Sequence, residues 1–341
     1  MEALHELELL IILFLQSAGE WLASPMRSLS MLGNEEFYML IMPLLYWCFD
    51  SVIGIRVAVM LLLSNAFGST FKTLMFQPRP YWISTDVKAW SSETSFGIPS
   101  GHAFHAAAVW GMLAANLRHR WGKTLLLIII FLIGFSRIYL GMHFISDVLL
   151  GWLLGALLVW GYLQIEKPLV AQVRTRSLAN MLLLSFFSAL FLISMIMLAA
   201  AAQNGQTVPE LWRQNALAAV PGNEIDPLSI EGAFTLAGTW FGMLAGAAWY
   251  YQRTGRMFNA AGQPAHRLLR YVIGLIGVFI LWFGLGQILP READFVSYAL
   301  RFTRYTLVGL WVSALAPMLF ERMGIANTEA AKGPALAVQK S

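Results

Sequence analysis

Three short stretches of this chain place ionisable groups at the ends of strongly apolar runs. The first leads from Lys72 through Gln77-Pro78 to Arg79-Pro80, and the second is Pro99-Ser100-Gly101-His102. The third opens with Ser136-Arg137 and reaches His143 and Asp147. A charge at such a place costs on the order of a few kcal/mol unless it meets a partner or a polar cavity, so the three read together as a functional site. They supply three cations, two imidazoles, one carboxylate and a helix-opening Ser-Gly pair. That inventory suits a site that grips a phosphate ester and attacks it with an imidazole.

His143 and Asp147 are four residues apart at the start of a new apolar helix, so they share a face. A carboxylate bonded to one ring nitrogen fixes the tautomer and leaves the other nitrogen free to attack. The same spacing also serves a purely structural hydrogen bond. Ser100 is a natural N-cap, and the backbone N–H groups that follow it form an anion site at the positive end of a helix. Gly101 allows close backbone approach, and His102 is placed to protonate a leaving alkoxide. An ordinary cap beside an interfacial histidine is the plainer alternative. Lys72 and Arg79 have similar plain readings, a snorkelling lysine and a solvent-facing arginine. Arg137 is harder to explain that way, because it ends a run with no other charge. Two arginines and a lysine give forked donors for phosphoryl oxygens and neutralise a pentacoordinate transition state. Tyr81 and Trp82 are expected as interfacial anchors, and His105 as a packing or cavity-lining residue. No metal or other cofactor is expected: His102, His105, His143 and Asp147 are ligand types, but three adjacent cations would repel a metal ion.

The elements that must position these groups are apolar helices. Of 341 residues, 58% are hydrophobic and 12% charged, about half the charge of a soluble domain. Runs of about twenty apolar residues, enough to cross a bilayer, recur along the chain. The fold class is therefore all-α, a polytopic membrane helical bundle of about nine spans. They are expected near 34–50, 53–76, 101–117, 122–140, 144–164, 178–201, 232–250, 268–288 and 297–320. Residues 1–33 read as an interfacial amphipathic segment anchored by Trp21, 34–164 as the catalytic transmembrane core and 165–322 as C-terminal transmembrane helices. Residues 323–341 read as a disordered tail. Cys48, the one cysteine, excludes an internal disulfide and reads as a small buried residue. A net charge of +4 in this setting does not suggest nucleic acid.

Orientation follows from the basic loops. Arg118, Arg120 and Lys123, then Lys167, Arg174 and Arg176, then Arg253, Arg256, Arg267 and Arg270, and finally Arg322 fall on one side, expected to be cytoplasmic. The three motifs fall on the other. The site is expected to face the periplasm or exterior of an inner membrane, or the lumen of an endoplasmic reticulum. The polar insertion 203–230 carries an amphipathic stretch, Pro209–Ala219, expected to lie on the membrane beside the site's mouth.

Together, Lys-x6-Arg-Pro, Pro-Ser-Gly-His and Ser-Arg-x5-His-x3-Asp resemble the signature of the type 2 phosphatidic acid phosphatase superfamily, in its order and spacing. The resemblance covers roughly residues 53–160. It implies a metal-independent membrane phosphohydrolase in which His143 forms a phosphohistidine, Asp147 orients it and His102 is the general acid. Lys72, Arg79, Ser100, Gly101 and Arg137 would then hold the phosphoryl oxygens. The implied substrate is a lipid phosphate: phosphatidic acid, a sphingoid phosphate or an isoprenyl (di)phosphate. Phe71-Lys72, Arg79-Pro80-Tyr81-Trp82 and Ser136-Arg137-Ile138-Tyr139-Leu140 are also similar to glucose-6-phosphatases, which makes a sugar phosphate the alternative. Those enzymes lack an acid at the position of Asp147, whereas Gly141-Met142-His143 with Asp147 resembles the lipid-acting members. A phospholipid-binding or transport protein would use the same cations without needing the His143–Asp147 pair.

Overall fold

The structure, a computed structural model, describes residues 2–203, 205–290 and 292–329. Every element among them is helical. In chain order the α-helices are α1 (Glu2–Gln16), α2 (Ala23–Met31), α3 (Glu35–Leu44), α4 (Ser51–Met75) and α5 (Pro80–Ile83). They continue with α6 (Gly101–Asn116), α7 (Arg120–Tyr139), α8 (Ile145–Arg174), α9 (Leu178–Ala202) and α10 (Glu210–Ala219). The last are α11 (Glu231–Thr254), α12 (Pro264–Phe279), α13 (Leu285–Ile288), α14 (Phe295–Leu310) and α15 (Ala316–Arg322).

Among the described residues five stretches are long and apolar enough to cross a membrane: Ser51–Ile83, Arg120–Tyr139, Ile145–Arg174, Leu178–Ala202 and Pro264–Ile288. They coincide with five of the nine expected spans. The other four fall on shorter or more polar helices. α3 has ten residues and opens with Glu35 and Glu36, and α6 has sixteen with two histidines. α11 is diluted by Gly and Thr, and α14 carries Arg301 and Arg304. The N-terminal segment forms a bent pair, Leu4–Gln16 and Glu20–Met31, at 91° to each other, which together reach the length of a sixth span. Of the expected tail, residues 330–341 lie outside the described residues. Glu329 is ordered enough for its carbonyl to accept a hydrogen bond from Asn259 (3.2 Å).

The chain divides into two compact units. The first holds residues 1–39, 57–171 and 191–233, and contains all three motifs. Its core gathers Ile12, Met26, Tyr81, Trp82, Phe96, Leu140, Phe144 and Val148. Tyr81 and Trp82 correct the sequence expectation, because they are 1% and 0% exposed and pack inside this core rather than at an interface. Trp82 also meets Trp212 of α10, and its carbonyl accepts from Asn215 (2.9 Å). Trp21 is exposed, as an anchor would be.

Within this unit α8 lies very close to α6, and glycines make that possible. A Cβ on Gly151 would stand 2.7 Å from the carbonyl oxygen of Ser100, and one on Gly155 would stand 2.4 Å from the Cβ of Ala107. Small residues four apart let helix backbones approach where apolar solvent offers no hydrophobic drive. α1 adds a second brace. Glu8 is buried and accepts from the backbone N–H (2.7 Å) and hydroxyl (3.1 Å) of Ser146, at the N-terminus of α8, where a carboxylate is favoured.

The second unit holds residues 40–56, 172–190 and those from Phe234 onward. Gly238, Gly242 and Gly246 of α11 let it lie against α14, with the Thr306 carbonyl oxygen 2.1 Å from where a Gly242 Cβ would be. Pro317 lacks the N–H that would bond Ser313 in a regular helix, and the Ser313 carbonyl accepts from the Tyr46 hydroxyl instead (2.9 Å). The neighbouring Val312 carbonyl accepts from the Trp47 indole (2.9 Å).

Gly155→Val should therefore destabilise the protein by about 2 kcal/mol or more, the usual cost of overpacking. Thermal unfolding of the purified variant in detergent checks this. An unchanged midpoint would show that the α6–α8 approach is not needed.

Candidate active site

Each motif is delivered by a helix end. α4 ends at Met75, and Phe76 follows in a left-handed conformation, φ 49°, which costs a non-glycine residue about 1 kcal/mol. Its ring is held against Phe96 at 4.5 Å, and the turn sends the chain through Pro78 to Arg79. α6 opens at Gly101 with Ser100 as N-cap, its hydroxyl accepting from the Ala103 N–H (3.5 Å). α7 ends at Tyr139 with Arg137 in its last turn. Gly141, with φ 73°, makes the bend that returns the chain to His143 and α8. The Ser100 N–H donates to the Asp147 carbonyl (2.9 Å), which ties the second motif to the third.

A cavity of about 490 Å³ in the first unit is lined by Lys72, Arg79, Gly101, His102, His105 and His143, among others. The structure brings most of the expected site residues to that wall. A Cβ on Gly101 would meet only His105 and Lys72, both at 3.8 Å, so packing against protein does not demand glycine there. Ser100, Arg137 and Asp147 stand behind the wall. Ser100 is fully buried and caps α6, while Asp147 and Arg137 act on groups that line the cavity.

His143 Nε2 lies 3.0 Å from Arg79 Nη1, and Nδ1 lies 3.2 Å from Asp147 Oδ2. A guanidinium can only donate, so Nε2 must accept and Nδ1 carries the proton given to Asp147. The lone pair therefore points at the cations. Asp147 Oδ2 also accepts from the Phe144 N–H (3.0 Å), which fixes the carboxylate itself. Burial, reinforced by Arg79, Lys72 and Arg137, pushes His143 well below the ordinary imidazole range. It stays neutral and nucleophilic at neutral pH.

The cations are held by oxygens that sequence reasoning missed. Arg79 donates to the carbonyls of Ser95 (2.7 Å), Met142 (3.0 Å) and Phe96 (3.2 Å) and to the Ser95 hydroxyl (3.1 Å). Lys72 donates to the carbonyls of Phe96 (2.6 Å) and Gly97 (3.3 Å). Arg137 donates to Ser30 Oγ (2.7 Å) and to Glu93 Oε1 (2.6 Å). Glu93 also lies 3.9 Å from Arg79 and 3.8 Å from His102 Nδ1. Burial alone would raise its carboxyl, but Arg137 and Arg79 outweigh that and hold it at about 2. His102 Nε2 lies 2.7 Å from Asn34 Oδ1 and donates to it. His105 bonds Ser64 Oγ (2.8 Å) and packs at the wall. One signal for Glu93 was available. Buried cations require an anion, and the loop between the first two motifs holds only Asp86 and Glu93 as acids.

Among the described residues no three His, Cys, Asp or Glu side chains converge as a metal site. The arrangement offers a neutral imidazole lone pair, convergent cationic donors and a second imidazole within one cavity.

Comparison with known proteins agrees with this layout. Residues 53–171 match the family model described as PAP2 superfamily. Residues 234–328 match a second, described as PAP2 superfamily phosphatase, transmembrane extension. The chain belongs to the PAP2 superfamily. The first of the two PAP2 matches spans all three motifs, and the second falls in the second unit. With its apolar spans, this PAP2 chain is an integral membrane protein.

Among curated relatives it is similar to sphingosine-1-phosphate phosphatase 2 of Homo sapiens, 30% identical over 134 residues, 38% of this chain and 34% of that protein. The undecaprenyl-diphosphatase of Sulfolobus acidocaldarius is 31% identical, over 34% of this chain and 56% of that one. Glucose-6-phosphatase 3 of Homo sapiens is 29% identical over 171 residues, 43% of this chain and 49% of that one. The chain thus spans about a third to a half of the length of these PAP2 relatives.

With the lone pair and the Asp147 bond as described, nitrogen-15 spectra should show His143 as the Nδ1–H tautomer at pH 7. It should still be neutral near pH 6, where an ordinary imidazole with a pKa of about 6.5 is mostly charged. Asp147→Asn should weaken the preference for this tautomer without abolishing it, because Arg79 still demands an acceptor at Nε2. An imidazolium signal for His143 at neutral pH would contradict the assignment.

Proposed function

We propose that this protein is a metal-independent phosphohydrolase acting on a lipid phosphate in the membrane. One observation carries the reading: the lone pair of His143 Nε2 is aimed among cations, with Asp147 holding the other nitrogen.

In the proposed reaction the phosphoryl oxygens bind Arg79, Lys72 and the N–H groups at the start of α6, backed by Arg137. Arg79 Nη1 shifts its hydrogen bond from Nε2 to a phosphoryl oxygen. The lone pair then attacks phosphorus in line, a P–N bond forms and the P–O bond to the leaving group breaks. His102, charged while the phosphate anion is bound, gives that oxygen the proton on Nδ1, with Asn34 accepting from Nε2. In the second step His102 takes a proton from water, the resulting hydroxide attacks phosphorus, and His143 leaves with its lone pair restored. Asp147 stabilises the positive imidazole between the steps, and the guanidinium forks neutralise the charge gathered on the phosphoryl oxygens.

A lipid phosphate suits a site at helix ends, because its tail can stay in the bilayer while the headgroup reaches the cations. The basic loops support a site facing away from the cytoplasm. They also fit nine crossings in all, counting α3, α6, α11 and α14–α15 with the five longer stretches, and an N-terminal pair lying at the interface. The similarity to glucose-6-phosphatase 3 over 43% of the chain favours a sugar phosphate as the second reading, against which Asp147 counts.

Phosphate release from phosphatidic acid, sphingosine-1-phosphate, an isoprenyl diphosphate and glucose-6-phosphate separates the two readings. A lipid is expected to be preferred, and preference for the sugar phosphate would select the alternative. His143→Ala should lower release by more than about a thousandfold with thermal stability retained, and EDTA should leave the wild type unaffected. Full activity in that variant would remove the assignment.

A further inference from the structure

We propose that Glu93 is an internal ligand of the phosphate-binding cations: substrate phosphate displaces its carboxylate, and the returning carboxylate helps expel product phosphate. The inference rests on the phosphate-ester reading of the site.

Geometry carries it. Glu93 Oε1 accepts from Arg137 Nη2 at 2.6 Å, and the same carboxylate stands 3.9 Å from Arg79 and 3.8 Å from the His102 ring. It therefore addresses both guanidinium groups and the proposed acid at once. Arg79 lines the cavity, and Arg137 opens toward it once Glu93 moves aside; carboxylate and phosphate are alternative ligands for such arginine forks. Two anions cannot share these donors without like-charge repulsion at close range, so the two states exclude each other.

Glu93 is also built to leave. It lies on a stretch between α5 and α6 that belongs to neither helix. It lines the cavity, and its side chain is 26% exposed, against 1–2% for the arginines it faces. Only one of its contacts to the cations is short. The arginines, in contrast, keep their bonds to Ser30 and to the carbonyls of Ser95, Phe96 and Met142 when Glu93 moves. They stay in place for the incoming phosphate. Glu35, Glu36 and Asp226 also line the cavity, so a carboxylate swung into it meets like charge, which favours its return.

A carboxylate that merely braced the arginines and one that competes with phosphate make opposite forecasts. Removing a brace weakens phosphate binding; removing a competitor strengthens it. Binding of inorganic phosphate to the full chain in detergent, followed by calorimetry and by the shift in thermal midpoint, decides between them. Glu93→Gln should bind phosphate about tenfold tighter than wild type, a factor ordinary for coupling between two ligands. It should also unfold at a lower temperature without phosphate and gain more stability from it. Glu93→Asp keeps the charge but withdraws it by one methylene, so it should fall between the two, and it carries the test if Glu93→Gln does not fold. Equal or weaker phosphate binding in the variants, with wild type binding normally, would overturn the inference alone. Absence of phosphate binding in all three proteins would overturn the phosphate-ester reading and the inference with it.

Discussion

Everything at this site depends on holding Lys72 beside Arg79 and Arg137, two arginines that are each only 1% exposed. Isolated charges in such a place are prohibitive, and a buried cation is tolerated only where oxygens satisfy it. The solution is a wall of carbonyls. Phe96 accepts from both Lys72 and Arg79, and Ser95 and Met142 complete the Arg79 fork. One carboxylate, Glu93, supplies the missing charge. Because the carbonyls are fixed by backbone, the guanidinium groups are preorganised, which is what gives electrostatic catalysis its strength.

That wall explains why the fold takes so much trouble over a few helix ends. The carbonyls of Ser95, Phe96 and Gly97 belong to one loop, and Gly97 passes so near the Pro78 carbonyl that a Cβ would stand 2.4 Å from it. The loop is trapped between the first and third motifs. Gly151 and Gly155 set α8 against α6, and the Ser100 to Asp147 bond then fixes the distance between the start of α6, the proposed anion site, and Asp147, the proposed partner of the nucleophile. The N-terminal helices take part as well. Glu8 secures the start of α8, Ser30 holds Arg137, and Asn34 holds His102.

Much of this was legible from residue types. The three motifs announced themselves as charges ending apolar runs; His143 and Asp147 do meet at 3.2 Å, but His143 precedes α8 and shares no helix face with Asp147. Five of the nine expected apolar runs became helices long and apolar enough to cross a membrane. What stayed hidden was tertiary in origin. Tyr81 and Trp82 look like interfacial anchors because local sequence cannot show that Phe96 and Trp212 close over them. Ser30 and Asn34 carry no signal of their own, being ordinary polar residues far from the motifs in sequence. Glu93 could have been narrowed to one of two acids by charge balance alone, but choosing it over Asp86 required the path of the loop.

The central claim is that His143 Nε2 is the atom that takes the phosphoryl group. Turnover of a phosphorus-32-labelled phosphate ester, quenched rapidly in alkali and followed by peptide mapping, tests it directly. The account requires label on His143 that survives alkali, is lost in acid, and is absent from His143→Ala. Turnover that leaves no labelled protein, or label on any other residue, would contradict it.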